Sequence, residues 1–275
     1  MSEASDGGPA PRRRPLDPPA RLRRPNALGF ALIVGVVAFF IAALDGADVS
    51  VISFFEGLPN MARMLGEMFP PSTARLAQVG KAVLETFQMA LVGTVIGVAF
   101  SLPLAWLATR GLTPHPTLYY GARGLIALFR TVPDLIWALF FVVAVGLGPF
   151  AGTLALAVDT MGFCGRFFAE AMEEQEKGPQ EALRAIGASR SGVLMGAVIP
   201  GALPSFINTG LFSLEKATRS SVVLGLVGAG GIGIELKVAM DMFEYDQAAT
   251  IILFVFVLVL LVERASAYLR ARVIG

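Results

Sequence analysis

Apolar residues in this chain come in long runs rather than on one face or at alternate positions. That is the pattern of segments whose whole circumference meets an apolar solvent. Leu28–Leu44, Val83–Thr109, Leu125–Leu147, Ala151–Phe168 and Ile251–Val262 with its flanks are the clearest runs. Leu203–Val222 is a sixth, less apolar one. About 20 helical residues cross a hydrocarbon layer of about 30 Å, so the pattern predicts an all-α polytopic membrane protein with about six transmembrane helices. Gly146-Leu147-Gly148-Pro149 predicts a tight turn that makes a hairpin of the third and fourth helices. Between Asp45 and Gly80, Phe54, Leu58, Met61, Leu65 and Met68 recur at helical spacing. They suit a short helix lying on the outer membrane face or packed against the bundle. No internal repeat is visible, so residues 81–275 are expected to form one membrane domain, preceded by a first helix and outer segment over 27–80.

Charge changes the picture mainly by its position. Residues 1–26 hold six arginines and six prolines with little apolar surface, which predicts a disordered basic cytoplasmic tail. The run 28–44 is long for a signal-peptide core and lacks a small-residue cleavage site before Asp45, so it is expected to stay as the first helix. With the tail inside and six helices after it, Arg110, Arg123, Arg166, Lys177, Arg184, Arg190, Arg264, Arg270 and Arg272 also fall inside. Both termini are therefore expected to be cytoplasmic. A composition of 55% hydrophobic and 16% charged residues is too apolar for a soluble domain, and nothing points to nucleic acid. Cys164 and His115 are the sole cysteine and histidine, which leaves no Cys/His metal site and no histidine-based hydrolase. No phosphate-binding G-x-x-x-x-G-K-[ST] loop occurs, so any ATP must be hydrolysed by a partner.

The longest inner connection, about 170–200, is clearly punctuated. Gly178 and Pro179 are read as ending one helix and opening another, and Glu181 suits the first turn. Gly187 supplies a left-handed stop, Ser189 a cap, and Pro200 the return to the membrane. The result resembles the coupling loop of ABC-importer permeases, whose signature is Glu-Ala-Ala, a glycine four residues on, and a hydrophobic-Pro ending. Glu181-Ala182-Leu183, Gly187 and Ile199-Pro200 hold that spacing, with Leu183 in place of the second alanine. The resemblance implies that Glu181, Ala182, Leu183, Arg184 and Gly187 couple an ATPase to the membrane.

Phe141–Gly152 and Arg219–Gly233 look like the phosphonate-importer permeases, with a weaker match at Phe69-Pro70-Pro71. This resemblance runs from about residue 50 to the C-terminus. It implies a type I (MetI-like) permease fold in the bacterial cytoplasmic membrane, working as a homodimer. Two ATP-binding cassette subunits would carry ATP and Mg, and a periplasmic or lipid-anchored binding protein would deliver phosphonate. Related families carry phosphite, phosphate or methionine.

Ser205, Asn208, Thr209, Glu215, Lys216 and Arg219 fall within about 120° on the fifth helix, interrupted by Phe212. Charges at mid-bilayer cost roughly 2.5–3.5 kcal/mol, so such a face should line a cavity. A translocation path suits it, with Lys216 and Arg219 attracting an anion weakly enough to release it. Mutual neutralisation of Glu215 and Arg219 is the plainer reading. Arg130 is placed at the inner end of the third helix, either guarding the exit or snorkelling. Asp159 needs a partner or a proton. Gly228, Gly230, Gly231 and Gly233 satisfy a dinucleotide-binding spacing but lie between apolar helices, so a gate or close packing explains them better. An ion-coupled transporter or channel using Asp159, or a nucleotide-binding membrane oxidoreductase, are the rival classes.

Overall fold

The computed structural model describes residues 26–47 and 50–274, so the expected basic tail lies, apart from Asn26, outside the described residues. All regular elements among them are helical. In chain order these are α1 (Ala27–Gly46), α2 (Val51–Glu67), α3 (Leu76–Leu107), α4 (Pro116–Thr131), α5 (Asp134–Val145), α6 (Pro149–Glu173), α7 (Lys177–Ala185), α8 (Arg190–Val193), a π-helical turn (Leu194–Val198), α9 (Ile199–Gly225), α10 (Ile232–Asp241) and α11 (Tyr245–Ile274). The chain divides into two units, residues 1–59 and 60–275. In the first, α1 is capped by Asn26, whose side chain accepts from the Gly29 N–H at 2.9 Å.

In the second unit α6 is the central helix, touched by α3, α4, α5 and α9. Small residues make this possible. A Cβ on Gly97 of α3 would lie 2.5 Å from Cβ of Thr160, and one on Gly162 would lie 2.8 Å from Cβ of Phe129 in α4. Close backbone approach replaces side-chain bulk, as membrane helix packing favours. It also explains why α6 is less apolar than α3 and α5: it faces protein more than lipid. Among the described residues four helices, α1, α3, the run from α8 to α9, and α11, are long and apolar enough to cross a bilayer by themselves. The bent pair α4 and α5 passes the same test only when taken together, which makes up to five apolar spans.

That bend corrects the expectation of one continuous helix from Leu125 to Leu147. The chain turns by 92° between α4 and α5. Pro133 is the cause, because it lacks an N–H and pushes the residue before it out of the helical region. Val132 is accordingly extended, with ψ 120°. The hairpin turn falls where expected, with α5 ending before Gly146 and α6 opening at Pro149.

The connection after α6 is a second, smaller correction. The break lies between Glu173 and Lys177, so Gly178 and Pro179 are the second and third residues of α7 rather than the break itself. First-turn N–H groups have no intrahelical acceptor, so proline is tolerated there. Gly187 stops α7 with φ +86°, and Ser189 caps α8 by accepting from Gly192 N–H at 3.2 Å. The five-residue π turn then leads into α9, where Pro200 is the second residue.

Candidate functional site

The charges of α9 are held at mid-helix by two different neighbours. Lys216 Nζ lies 2.8 Å from both carboxylate oxygens of Asp159 in α6 and 5.3 Å from the centroid of the Phe163 ring. Glu215 turns instead to α11, where Arg270 donates to it at 2.7 Å. The expected pairing of Glu215 with Arg219 is therefore corrected. Glu215 sits at the edge of the polar arc, and Arg270 from another helix reaches it first. Asp159 and Glu215 have side chains only 15% and 8% exposed, and each is paired with a cation from another helix, as largely buried charges are. Among the described residues Arg219 has no carboxylate at salt-bridge distance.

Once Glu215 is withdrawn, the remaining stripe on α9 is exposed. Ser205, Asn208, Phe212 and Arg219 all face out of the single chain, with Lys216 half-buried between them. Across from them, Phe163 of α6 stacks on Phe212 at 5.6 Å. Deeper in the contact, Cys164 Sγ lies 3.1 Å from Ser213 Oγ, and Phe168 meets Phe206. Arg130, expected at the inner end of its helix, instead closes α4 at the bend, level with Gly162 of α6. The reason is the Pro133 break, which ends α4 at Thr131, while α4 itself begins at Pro116, ahead of the predicted span. Arg130 lines a cavity of about 220 Å³ together with Arg123 and Arg166.

The segment from α7 to α8 is built to be displayed. Leu183 packs inward against the bundle, next to Gly196 of the π turn. Lys177, Glu181, Ala182, Arg184 and Gly187 are exposed, and Ile186 projects with 80% of its surface free. Ile186 follows the last residue of α7, so the exposed face of this short helix, with Lys177, Glu181 and Arg184, ends on one large apolar side chain. The segment is tied to the α3–α4 turn by Arg190, whose Nη1 donates to the Thr113 and Pro114 carbonyls at 3.3 and 3.2 Å. Beside it Glu173 accepts from Arg123 at 2.7 Å and from the Arg110 N–H at 2.8 Å. The Arg110 guanidinium donates to the Tyr119 hydroxyl, which raises its pKa further.

At the opposite end, Gly228, Gly230 and Gly231 have φ values of +87°, +89° and +74°. Gly230 lies against Pro149, where a Cβ would come within 2.6 Å of the backbone. The Gly231 N–H donates to Glu85 at 2.8 Å and the Ile232 N–H to Thr86 Oγ1 at 2.7 Å. Gly233 packs on Gly225. These glycines form a wedge between α3, α6 and α9, and no strand precedes them among the described residues, so the dinucleotide reading has no βαβ frame.

Comparison with known proteins agrees with this architecture. The profile of the family described as "Binding-protein-dependent transport system inner membrane component" matches residues 101–275. The chain belongs to this family. It is the membrane permease of an ABC importer, a transport subunit rather than an enzyme, working with an ATPase and a substrate-binding protein. The permease is 38% identical to the phosphite transport system permease protein PtxC of Stutzerimonas stutzeri, over 87% of this chain and 86% of that one. It is 36% identical to the phosphate-import permease protein PhnE of Mycolicibacterium smegmatis, over 95% of this chain and 50% of that one, so it spans half of that relative. An inward-facing structure of the MetNI methionine ABC transporter matches with TM-score 0.65 and 26% identity, covering 73% of this chain and 98% of that one.

Two side chains of this permease are not singled out by sequence alone. Arg270 reads there only as an inner basic residue, since a partner 55 positions away leaves no local signal. Ile186 lies within the loop pattern, but nothing in the spacing separates an outward isoleucine from an inward one.

Proposed function

We propose that this permease carries a phosphorus oxyanion, phosphonate or its near relatives phosphite and phosphate, along the exposed face of α9. The observation that carries the reading is Arg219, a guanidinium without a carboxylate partner among the described residues, on a polar stripe beside Lys216. Phosphite and phosphate appear in the names of its relatives. Asp159 gives the site its weakness. It already occupies Lys216, so an incoming oxyanion competes with a resident carboxylate and is released readily. The same pairing argues against ion coupling, because an ion-carrying Asp159 would need to be free to exchange its cation. A second copy of this chain facing the α9 stripe would close the path, making the working unit a homodimer.

In each copy Glu181, Ala182, Arg184, Gly187 and the projecting Ile186 form the surface seated in one of two ATPase subunits, which hold ATP and Mg. Closure of those subunits pushes α7, and Leu183 and Arg190 pass the displacement to α9 and to the α3–α4 turn. In this reading α7 and both termini are cytoplasmic, and the wedge of Gly228, Gly230, Gly231 and Gly233 seals the far end. Residues 1–26 are the cytoplasmic tail, 27–80 the first helix and outer segment, and 81–275 the permease domain.

The test is reconstitution with the ATPase and binding protein in vesicles, followed by ATP-dependent uptake of methylphosphonate, phosphite, phosphate and methionine. Uptake of at least one oxyanion, abolished by Arg219→Gln, is expected. Methionine uptake alone, or uptake driven by an ion gradient without ATPase, would overturn the reading.

A further inference from the structure

We propose that Arg123, Arg130 and Arg166 form a second site for a phosphate-type oxyanion, in the cleft between α4 and α6 and separate from Lys216 and Arg219. Three guanidiniums line one cavity of about 220 Å³ over an apolar floor of Ile126 and Ala169. Arg166 is held by Glu170 at 2.6 Å and Arg123 by Glu173 at 2.7 Å. Arg130 has no carboxylate at salt-bridge distance among the described residues. The three cations and two carboxylates leave one positive charge facing a space that holds about seven waters at liquid density. Planar guanidinium forks match the oxygens of a tetrahedral oxyanion, which is the chemistry this rim offers.

The cleft continues the open side of α6. Asp159, Phe163, Arg166, Phe167 and Glu170 fall within about 100° of one another around that helix, and Arg166 lies about 10 Å along it from Asp159. Between the two cationic positions stands Phe163, with Phe212 stacked on it, while Phe167, next to Arg166, has its ring centroid 4.7 Å from that of Phe163. These rings offer an oxyanion no strong hydrogen-bond donor, and an anion there would lose its water without replacement. An oxyanion is therefore held at Lys216 and Arg219 or at the arginine cleft, and not between them. Glu170 and Glu173 compete with it in the cleft as Asp159 does at Lys216. The anion can come from the cargo or from the headgroup of an anionic lipid reaching into the same cleft. The site itself does not depend on the proposed cargo path; only its assignment to cargo does.

The experiment uses the complete transporter in nanodiscs, with wild type, the double variant Arg130→Gln/Arg166→Gln, its charge-retaining counterpart Arg130→Lys/Arg166→Lys, and Lys216→Gln/Arg219→Gln. Radiolabelled inorganic phosphate is titrated at low ionic strength in pure phosphatidylcholine discs. Lipid retained from mixed phosphatidylcholine and phosphatidylglycerol discs is read by native mass spectrometry. For a cargo site, Arg130→Gln/Arg166→Gln loses one class of phosphate binding and weakens it roughly tenfold or more, with partial rescue by the lysine pair. For a lipid site, it loses retained phosphatidylglycerol instead. Phosphate binding and lipid retention both equal to wild type in that variant would overturn the proposal. Should Lys216→Gln/Arg219→Gln bind and transport normally while the arginine variant is impaired, the α9 path fails and the cleft stands.

Discussion

Two carboxylates hold cations on two sides of α9, and neutralising them has different consequences. Asp159→Asn frees Lys216 on the exposed stripe, so the permease should hold oxyanion more tightly and turn over more slowly. A KM for uptake lowered roughly tenfold, together with a lowered kcat, is the expected signature of deeper ground-state binding. An unchanged KM would show that Lys216 never meets cargo. Glu215→Gln acts on stability instead, because it strands the partly buried Arg270 against a buried position on α9. Loss of one partner of a buried pair costs about 3 kcal/mol, which should lower the unfolding temperature in detergent, with partial recovery in Glu215→Gln/Arg270→Gln. At this scale the sequence discloses which residues are charged and that they cannot face lipid. Their pairing is hidden, because Glu215 and Arg219 are near in sequence while Arg270 is near only in space.

Among the elements, those set by local punctuation are legible and those set by packing are not. Gly187, Ser189 and Pro200 stand where the segment from α7 to α9 requires a left-handed stop, a cap and a first-turn proline. Pro133, flanked by Arg130, Thr131 and Asp134, carries an equally strong local signal, but the apolar stretches on either side of it read together as one span and conceal the bend. The central place of α6 rests on Gly97, Gly162 and Gly165, whose small size reads in sequence as mere lack of hydrophobicity. Gly187→Val belongs to this scale. At φ +86° a β-branched residue is strained, so α7 should be re-aimed and ATP-driven uptake lost, with the protein still inserted and its elution volume on size exclusion unaltered. Normal uptake by that variant would remove α7 from the drive train.

For the whole molecule, the all-helical, multi-crossing architecture is readable from hydrophobicity alone, whereas the number of crossings turns on the bent pair α4 and α5 and on α6, and the side on which each loop lies is inferred from arginine and lysine positions. Ile186→Cys tests that sidedness directly, since Cys164 is buried and should not react. A membrane-impermeant maleimide should label the variant in inside-out vesicles and spare it in right-side-out ones, and the ATPase should protect it. The reverse pattern would invert the topology and with it the direction of transport.

The wide turn at Leu194–Val198 bears on how this chain can change over generations. A wide turn takes about one residue more than an α turn to come round once, so losing one residue here restores a regular helix and leaves every later position facing as before. The next element is α9, with Glu215 aimed at α11, Lys216 at α6 and Arg219 outward. A single-codon deletion within the wide turn would therefore leave all three aimed as they are, whereas the same deletion inside α9 ahead of Glu215 would rotate them together by about 100°. Length can vary at this turn where the helix that follows cannot allow it.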